Sequence, residues 1–191
     1  MLCRTLLIFT IISLVVPARA ADTARIAYYP VSGKTARDIY DYIRIKAPRI
    51  APNATFAYTA IATKTDKKEK TSGKSCRYVR FKTSGYYIFN LPRHTKLKSM
   101  SPKTRSGWLS FVNYLKNHEA GHRTSWHKCL ADYDARAKTL TAHNCADLDK
   151  AREKLFTKTK LACIEQDEKM DYHFRQDVLK VPFVAEALGN H

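Results

Sequence analysis

The segment WLSFVNYLKNHEAGHRTSWHKCLADY, residues 108–133, decides how the rest of the chain is interpreted. Its apolar and histidine side chains recur at intervals of three and four residues, which places them on one face of a helix. Two histidines, one turn apart, therefore occupy positions where core side chains would otherwise lie. The residues on this face are Trp108, Phe111, Leu115, His118, His122, Trp126, Cys129 and Tyr133.

The pentapeptide His118-Glu119-Ala120-Gly121-His122 has the H-E-x-x-H pattern of zinc metallohydrolases. Histidines four residues apart on a helix can reach the same ion, and Glu119, rotated by about 100° from His118, can reach a water on that ion. The sequence therefore predicts that His118 and His122 bind Zn²⁺ and that Glu119 acts as general base. The alternative is an inert pair of surface histidines, and the aromatic residues on the same helix face disfavour it.

A third protein ligand is expected, because catalytic zinc takes three and leaves one position for water. His127 lies about 180° from His118 around the helix and is interpreted as a surface residue. His173, near the end of the next predicted helix, is the predicted third ligand. Asp171 is the alternative, and His94 is a more remote one.

The first twenty residues have the features of a secretory signal peptide. Arg4 precedes an apolar run over residues 6–16, and Ala18-Arg19-Ala20 is a small-x-small cleavage site. The run is too short for a persistent membrane span, although a short anchor is the alternative, and no later stretch is long enough to cross a bilayer. We expect residues 1–20 to be removed and residues 21–191 to form one exported domain, periplasmic or secreted.

Four cysteines remain after that cleavage, an even number in an oxidising compartment, so two disulfides are expected. If the last helix begins near Cys145, then Cys163 lies about 27 Å further along it, and pairing them would require a broken helix. Of the other two pairings we prefer Cys76–Cys145 with Cys129–Cys163. A cysteine zinc site is disfavoured because no C-x-x-C spacing occurs.

The chain carries 34 Lys+Arg against 17 Asp+Glu, a net charge of +17, of which +15 remains without Arg4 and Arg19. Lysines cluster at residues 64–74, and basic residues cluster again at residues 93–105. Such a surface could attract anionic envelope polymers, lipid headgroups or acidic peptides. Specific nucleic-acid binding is not expected, because no module for it is recognisable. The plain alternative is a solvated basic surface.

Hydrophobic periodicity predicts an α+β fold. A strand over residues 25–31, a helix over residues 35–46 and strands over residues 56–65 and 76–91 come first, with a lysine-rich loop before the last strand. Two long helices follow, one ending near residue 139 and one over residues 146–172. We expect a small antiparallel sheet with an N-terminal helix, packed on a C-terminal helical hairpin that carries H-E-x-x-H in a zincin-like arrangement.

Four segments carry a further signal: Tyr28-Tyr29-Pro30-Val31-Ser32-Gly33-Lys34-Thr35, Cys76 with the strand that ends at Leu91-Pro92, Trp108 to Phe111 ahead of H-E-x-x-H, and Cys145 at the start of the last helix. Together they resemble a bacterial family of predicted secreted zinc-dependent proteases, the domain of unknown function 922. The resemblance implies a periplasmic or secreted protein with a metallopeptidase site. Near its C-terminus the family tends to show Tyr-Asp and then His-Gly, whereas this chain has Met170-Asp171-Tyr172-His173, so the third ligand does not carry over.

These features together predict an exported zinc-dependent peptidase that acts on a peptide or protein substrate. Glu119 would take a proton from the attacking water and pass it to the leaving nitrogen. An edge strand, with residues 85–90 as the candidate, would hold the substrate in an extended form. Two alternatives stay open: a non-catalytic, basic envelope-binding protein with a structural or vestigial zinc site, and an amidase that acts on cell-wall peptides.

Overall fold

A computed structural model describes residues 23–46 and 56–189, so the predicted signal peptide lies outside the described residues. Four strands and four helices make up this part of the chain, with short 3₁₀ turns at Leu97–Ser99 and Val178–Lys180. In chain order the elements are β1 (Thr23–Val31), α1 (Ala36–Lys46), β2 (Tyr58–Ser72), β3 (Ser75–His94), α2 (Pro102–Ala137), β4 (Thr141–Ala142), α3 (Cys145–Asp177) and α4 (Pro182–Leu188).

The sheet is mixed, with the strand order β1-β3-β2 and with β4 paired to the start of β3. β2 and β3 form a long antiparallel ribbon, whereas β1 runs parallel to β3. The α+β class is confirmed, but the expectation of a purely antiparallel sheet is wrong. The reason is that the chain reverses direction twice, between β1 and β2 and again between β2 and β3. β3, which lies between the other two strands, is therefore antiparallel to β2 and parallel to β1.

The ribbon is longer than the sequence pattern predicts, because β2 continues through the supposed lysine-rich loop and β3 runs for 20 residues without a break. Lys67 explains part of the difference. Its side chain lies on the inner face of β2 and donates hydrogen bonds to Asp149 of α3, and its ammonium lies 3.0 Å from Glu69. Tertiary partners thus hold as strand a segment that its composition marks as loop.

α2 begins with a capped turn and packs lengthwise on β3. Pro102 occupies the first turn, and the Ser101 hydroxyl accepts a hydrogen bond from the backbone N–H of Thr104 at 3.1 Å. Trp108 then lies beside His94, near the end of β3, with ring centroids 6.2 Å apart. Near the C-terminal end of α2, the ring of Tyr133 packs on that of Phe81, in the first half of β3, with centroids 5.5 Å apart. α2 therefore runs antiparallel to β3.

The predicted apolar face of α2 supplies the larger of two cores. Trp108, Phe111, Leu115 and Trp126 are all buried there, and Phe183 of α4 stacks on Phe111 at 5.3 Å. Each such side chain contributes about 1.5–3 kcal/mol through burial. The smaller core lies under the far end of the β2–β3 ribbon and consists of Cys76, Tyr78, Phe81, Tyr133, Ala137 and Leu148.

Two disulfides fix the helices to each other and to the sheet. Cys76–Cys145 joins the start of β3 to the start of α3, with Cα atoms 5.2 Å apart, and Cys129–Cys163 joins α2 to α3, with Cα atoms 6.1 Å apart. The preferred cysteine pairing is therefore confirmed. No helix within residues 23–46 and 56–189 combines the length and apolar character needed to cross a bilayer.

We expect Cys76→Ser combined with Cys145→Ser to lower the free energy of unfolding by about 4 kcal/mol, because the disulfide closes a loop between residues 69 apart. Urea denaturation without reductant measures the change. An unchanged midpoint would show that the smaller core holds the ribbon without the covalent link.

Candidate metal centre

α2 and α3 pack as an antiparallel pair whose register places functional side chains opposite each other. Starting from the Cys129–Cys163 disulfide, each turn towards the N-terminus of α2 lies opposite one turn towards the C-terminus of α3. The α3 residues that face α2 therefore recur every three or four positions. Cys163 is bonded to Cys129, and Asp167 contacts Trp126 and His122. One turn further, Asp171 contacts His118 and His122, and Phe174 then stacks on His118 and Tyr114.

Three donor atoms converge at the middle of this pair. The Nε2 atoms of His118 and His122 each lie 3.0 Å from Oδ1 of Asp171, and they lie 3.0 Å from each other. In the described part of the chain, these residues form the one group of His, Cys, Asp or Glu side chains close enough to share a metal ion.

The spacing of these atoms fits a zinc ion. Zinc–nitrogen and zinc–oxygen bonds of about 2.0–2.1 Å place neighbouring ligands of a tetrahedral ion about 3.3 Å apart. The three separations of 3.0 Å are within a few tenths of an ångström of that value. Two imidazole nitrogens and one carboxylate oxygen also form a donor set that zinc accepts, so the residues present fit the ion.

Each histidine ring is held in one orientation by a second contact. Nδ1 of His122 lies 3.1 Å from Oδ1 of Asp167, and the indole N–H of Trp126 donates a hydrogen bond to the other oxygen of that carboxylate. The ring of His118 stacks on Phe174, with centroids 4.0 Å apart. Such outer contacts fix the tautomer and direction of a metal-binding imidazole.

Gly121, between the two histidines, allows the helices to approach. A Cβ atom at this position would lie 3.0 Å from Cε of Met170 on α3, which is closer than side chains normally pack. An alanine here would require the flexible end of the Met170 side chain to shift by a few tenths of an ångström.

Glu119 lies beside the three donors and is 2 % exposed. Its Oε2 accepts a hydrogen bond from the hydroxyl of Thr59, on β2, at 2.6 Å. Burial raises the pKa of Glu119, although the hydrogen bond from Thr59 and the nearby histidines act in the opposite direction. The sheet thus holds the carboxyl group of the helix in place.

The carboxylates around His122 favour its charged form. Burial lowers the pKa of His122, but the carboxylates of Asp167 and Asp171, 3.1 and 3.0 Å from its ring nitrogens, outweigh burial and raise the pKa to about 10. For Asp171, burial raises the pKa, and hydrogen bonds from His118 and His122 more than reverse this, so its pKa is well below the ordinary value. The cluster is therefore an acidic site that attracts positive charge, whether a proton or a cation.

The structure brings together the predicted residues His118, Glu119 and His122, but not His173. α3 continues to Asp177 instead of ending near residue 172, so His173 lies on the helix, two positions and about 200° from Asp171. Its side chain is exposed, and its ring lies 5.6 Å from that of Tyr172. The geometry favours Asp171, the alternative, as the third donor.

The remaining candidate histidines lie elsewhere. His94 is buried at the end of β3, where Nε2 lies 2.8 Å from the carbonyl oxygen of Gly33 and Nδ1 accepts from the backbone N–H of Lys96 at 3.0 Å. His127 is on the exposed side of α2, as predicted. His94 therefore supports the loop after β1 and is not one of the converging donors.

The comparison with known proteins agrees with the extent of this domain. A family model described as "Bacterial protein of unknown function (DUF922)" matches residues 26–175. The chain belongs to this family. The DUF922 match includes most of β1, all of α2 and nearly all of α3, so all the converging side chains lie within it. No curated protein and no solved structure matches the chain significantly.

We expect Thr59→Val to lower the free energy of unfolding by about 1–3 kcal/mol, because the buried carboxyl group of Glu119 loses its hydroxyl donor. Thr59→Ser, which keeps the hydroxyl, is the matched control and should lose less. Chemical denaturation of both variants measures the difference. If Thr59→Val loses no more than Thr59→Ser, the hydrogen bond to Glu119 does not stabilise the fold.

Proposed function

We propose that this DUF922 protein is an exported zinc-dependent peptidase that hydrolyses peptide bonds with Glu119 as general base. The observation that carries the proposal is the convergence of three donor atoms, from His118, His122 and Asp171, directly beside a buried carboxyl group. Two histidines that lie on a helix surface without a function are not expected to be 3.0 Å from a carboxylate of a second helix.

Two features favour a catalytic site over a purely structural zinc site. Structural zinc is usually enclosed by four protein ligands, whereas a catalytic site keeps one position open. Within residues 23–46 and 56–189, three donors converge and no fourth joins them. The side chain of Asp171 is 40 % exposed, so solvent and substrate can approach from its side.

A zinc ion held by these donors would lower the pKa of a water molecule and polarise the carbonyl group of the scissile peptide. Glu119 takes the proton of the attacking water on a carboxylate oxygen and then transfers it to the leaving amine nitrogen. Thr59 keeps that carboxylate in place through its hydrogen bond. Asp167 and Phe174 hold the two imidazoles in their metal-facing orientation.

The strand that borders this site differs from the one expected from the sequence. Residues 85–90 belong to β3, which is central and paired on both sides, so the prediction that they form an edge strand is wrong. β2 carries Thr59 and, among the described strands, pairs with β3 alone. An extended peptide would add to the open edge of β2, where main-chain hydrogen bonds could hold it next to Glu119.

The two disulfides support export, because such bonds persist in oxidising compartments. The substrate is then a peptide or protein outside the cytoplasm. Peptides of the cell wall are a second substrate class for the same chemistry, and the assay below includes them.

We expect Asp171→Asn to weaken zinc binding by more than about 100-fold, because it removes the charge of a direct ligand and not only that of an outer contact. His173→Asn, two residues away on the same helix, is the matched control and should bind zinc as the unaltered protein does. Competition with a chelating dye measures both affinities. A loss confined to His173→Asn would identify that histidine as the ligand.

We expect Glu119→Gln to keep its zinc and to lose at least about 100-fold in kcat, because the amide cannot accept the proton. Glu168→Gln, at an exposed position of α3, is the control and should retain full activity. Zinc content is measured by elemental analysis, and turnover with casein and with peptidoglycan-derived peptides. Undiminished turnover by Glu119→Gln would assign the base elsewhere, and a zinc-loaded native protein without turnover would favour the non-catalytic alternative.

A further inference from the structure

Charged side chains on the two faces of the β2–β3 ribbon differ in whether they have partners of opposite charge. On the inner face, which packs on α2 and α3, Lys67 is paired with Asp149 and Glu69. The hydroxyl of Tyr78 also donates to Asp149, at 2.8 Å. Charged groups that help the ribbon to pack therefore have partners.

The outer face instead brings like charges together. Lys68 lies directly opposite Arg80, and Lys70 lies directly opposite Arg77. All four side chains are exposed. Like charges directly across a strand pair destabilise a sheet, so these two pairs do not serve folding.

Little on this face offsets that charge. Asp66 is the one acidic residue on the outer face of the ribbon, and it pairs with Arg80 at 3.1 Å. Among the described residues, no ion pair forms with Lys64, Lys68, Lys70 or Arg77. We refer to these four residues together with Arg80 as the basic face.

The basic face is an open sheet surface supported by the rest of the domain. It extends about 20 Å along β2 at 3.3 Å per residue and is two strands wide. The smaller core and the Cys76–Cys145 disulfide fix the ribbon from its other side. Several cations are thus presented at once from a backbone that is already ordered, which reduces the ordering entropy lost on binding.

Apolar side chains are exposed on the same ribbon. The register shift between Lys68 and Glu69 leaves Val79 without a cross-strand partner, and Val79 is 49 % exposed. Tyr86, further along β3, is 38 % exposed. Cations interspersed with exposed apolar side chains on an open sheet face suit the interface of an anionic lipid bilayer better than a linear polymer, which is usually bound in a groove.

We propose that the basic face binds the phosphate headgroups of an anionic phospholipid surface. The metal centre lies on the inner side of the ribbon, since Thr59 reaches Glu119 from that side. A protein bound through its basic face would therefore keep the metal centre turned away from the lipid and open to substrates in solution.

The test uses the disulfide-bonded protein produced from the full-length sequence and vesicles of equal parts phosphatidylglycerol and phosphatidylcholine. The variant combines Lys68→Gln, Lys70→Gln and Arg77→Gln. Its matched control removes three exposed cations of α3, Lys154→Gln, Lys158→Gln and Lys160→Gln, for the same change in net charge. Sedimentation with vesicles measures binding, and zinc content and the melting temperature verify folding.

We expect binding to the mixed vesicles, none to pure phosphatidylcholine, and a loss of binding as salt is raised. The basic-face variant should bind about 100-fold more weakly, at about fivefold per cation, and the α3 control should bind nearly as the native protein does. The single variant Arg77→Gln, expected to lose about fivefold, keeps the test valid if the triple variant does not fold.

Three results would overturn the proposal. Equal losses in the basic-face variant and the α3 control would show that net charge, and not this face, governs binding. Binding to soluble polyphosphate but not to vesicles would assign the face to a linear polyanion. Absence of binding to both would leave the basic face a solvated surface, and none of these results depends on whether the metal centre is catalytic.

Discussion

The antiparallel register of α2 and α3 is the constraint on which the rest of this protein depends. Shifting α3 by one residue would rotate its facing side chains by about 100° and remove Asp171 from the two histidines. The Cys129–Cys163 disulfide holds this register, and Gly121 leaves room for the end of the Met170 side chain between the helices. From these two contacts follow the positions of the carboxylate donor, of the Asp167 support and of the Phe174 ring.

The sheet completes the site from a second direction. α2 runs along β3, so its motif lies over the start of β2, and Thr59 can bind the buried carboxyl group of Glu119. The helical hairpin alone would present the three candidate ligands without fixing the carboxyl group of Glu119. The combination explains why the domain needs both layers, although the motif itself occupies a single helix.

Much of this arrangement can be predicted from the sequence, because periodicity reports which helix face is buried. The intervals of three and four residues place Trp108, Phe111, His118 and His122 on one face correctly. The same reasoning extended from Cys163 leads to positions 167, 171 and 174, but it depends on knowing both the disulfide pairing and that α3 continues past residue 172. Unless α3 is known to continue past residue 172, the sequence does not show whether His173 or Asp171 faces the two histidines.

Other features have no local signal in the sequence. Nothing near Thr59 indicates contact with a glutamate 60 residues away, and nothing marks β1 as parallel to β3. The lysines of β2 suggest a loop because their strand conformation depends on partners on other elements, such as Asp149. Composition and periodicity describe what a segment buries, and they say less about which distant segment it meets.

The bond between Cys129 and Cys163 has a consequence for where the metal centre can be assembled. One and two helical turns separate Cys163 from Asp167 and Asp171, so the covalent bond is adjacent to the cluster it aligns. The bond can form only where thiols are oxidised. Where it forms, it adds a covalent restraint to the packing that keeps Asp167 and Asp171 opposite the two histidines, and where it is absent the packing acts alone.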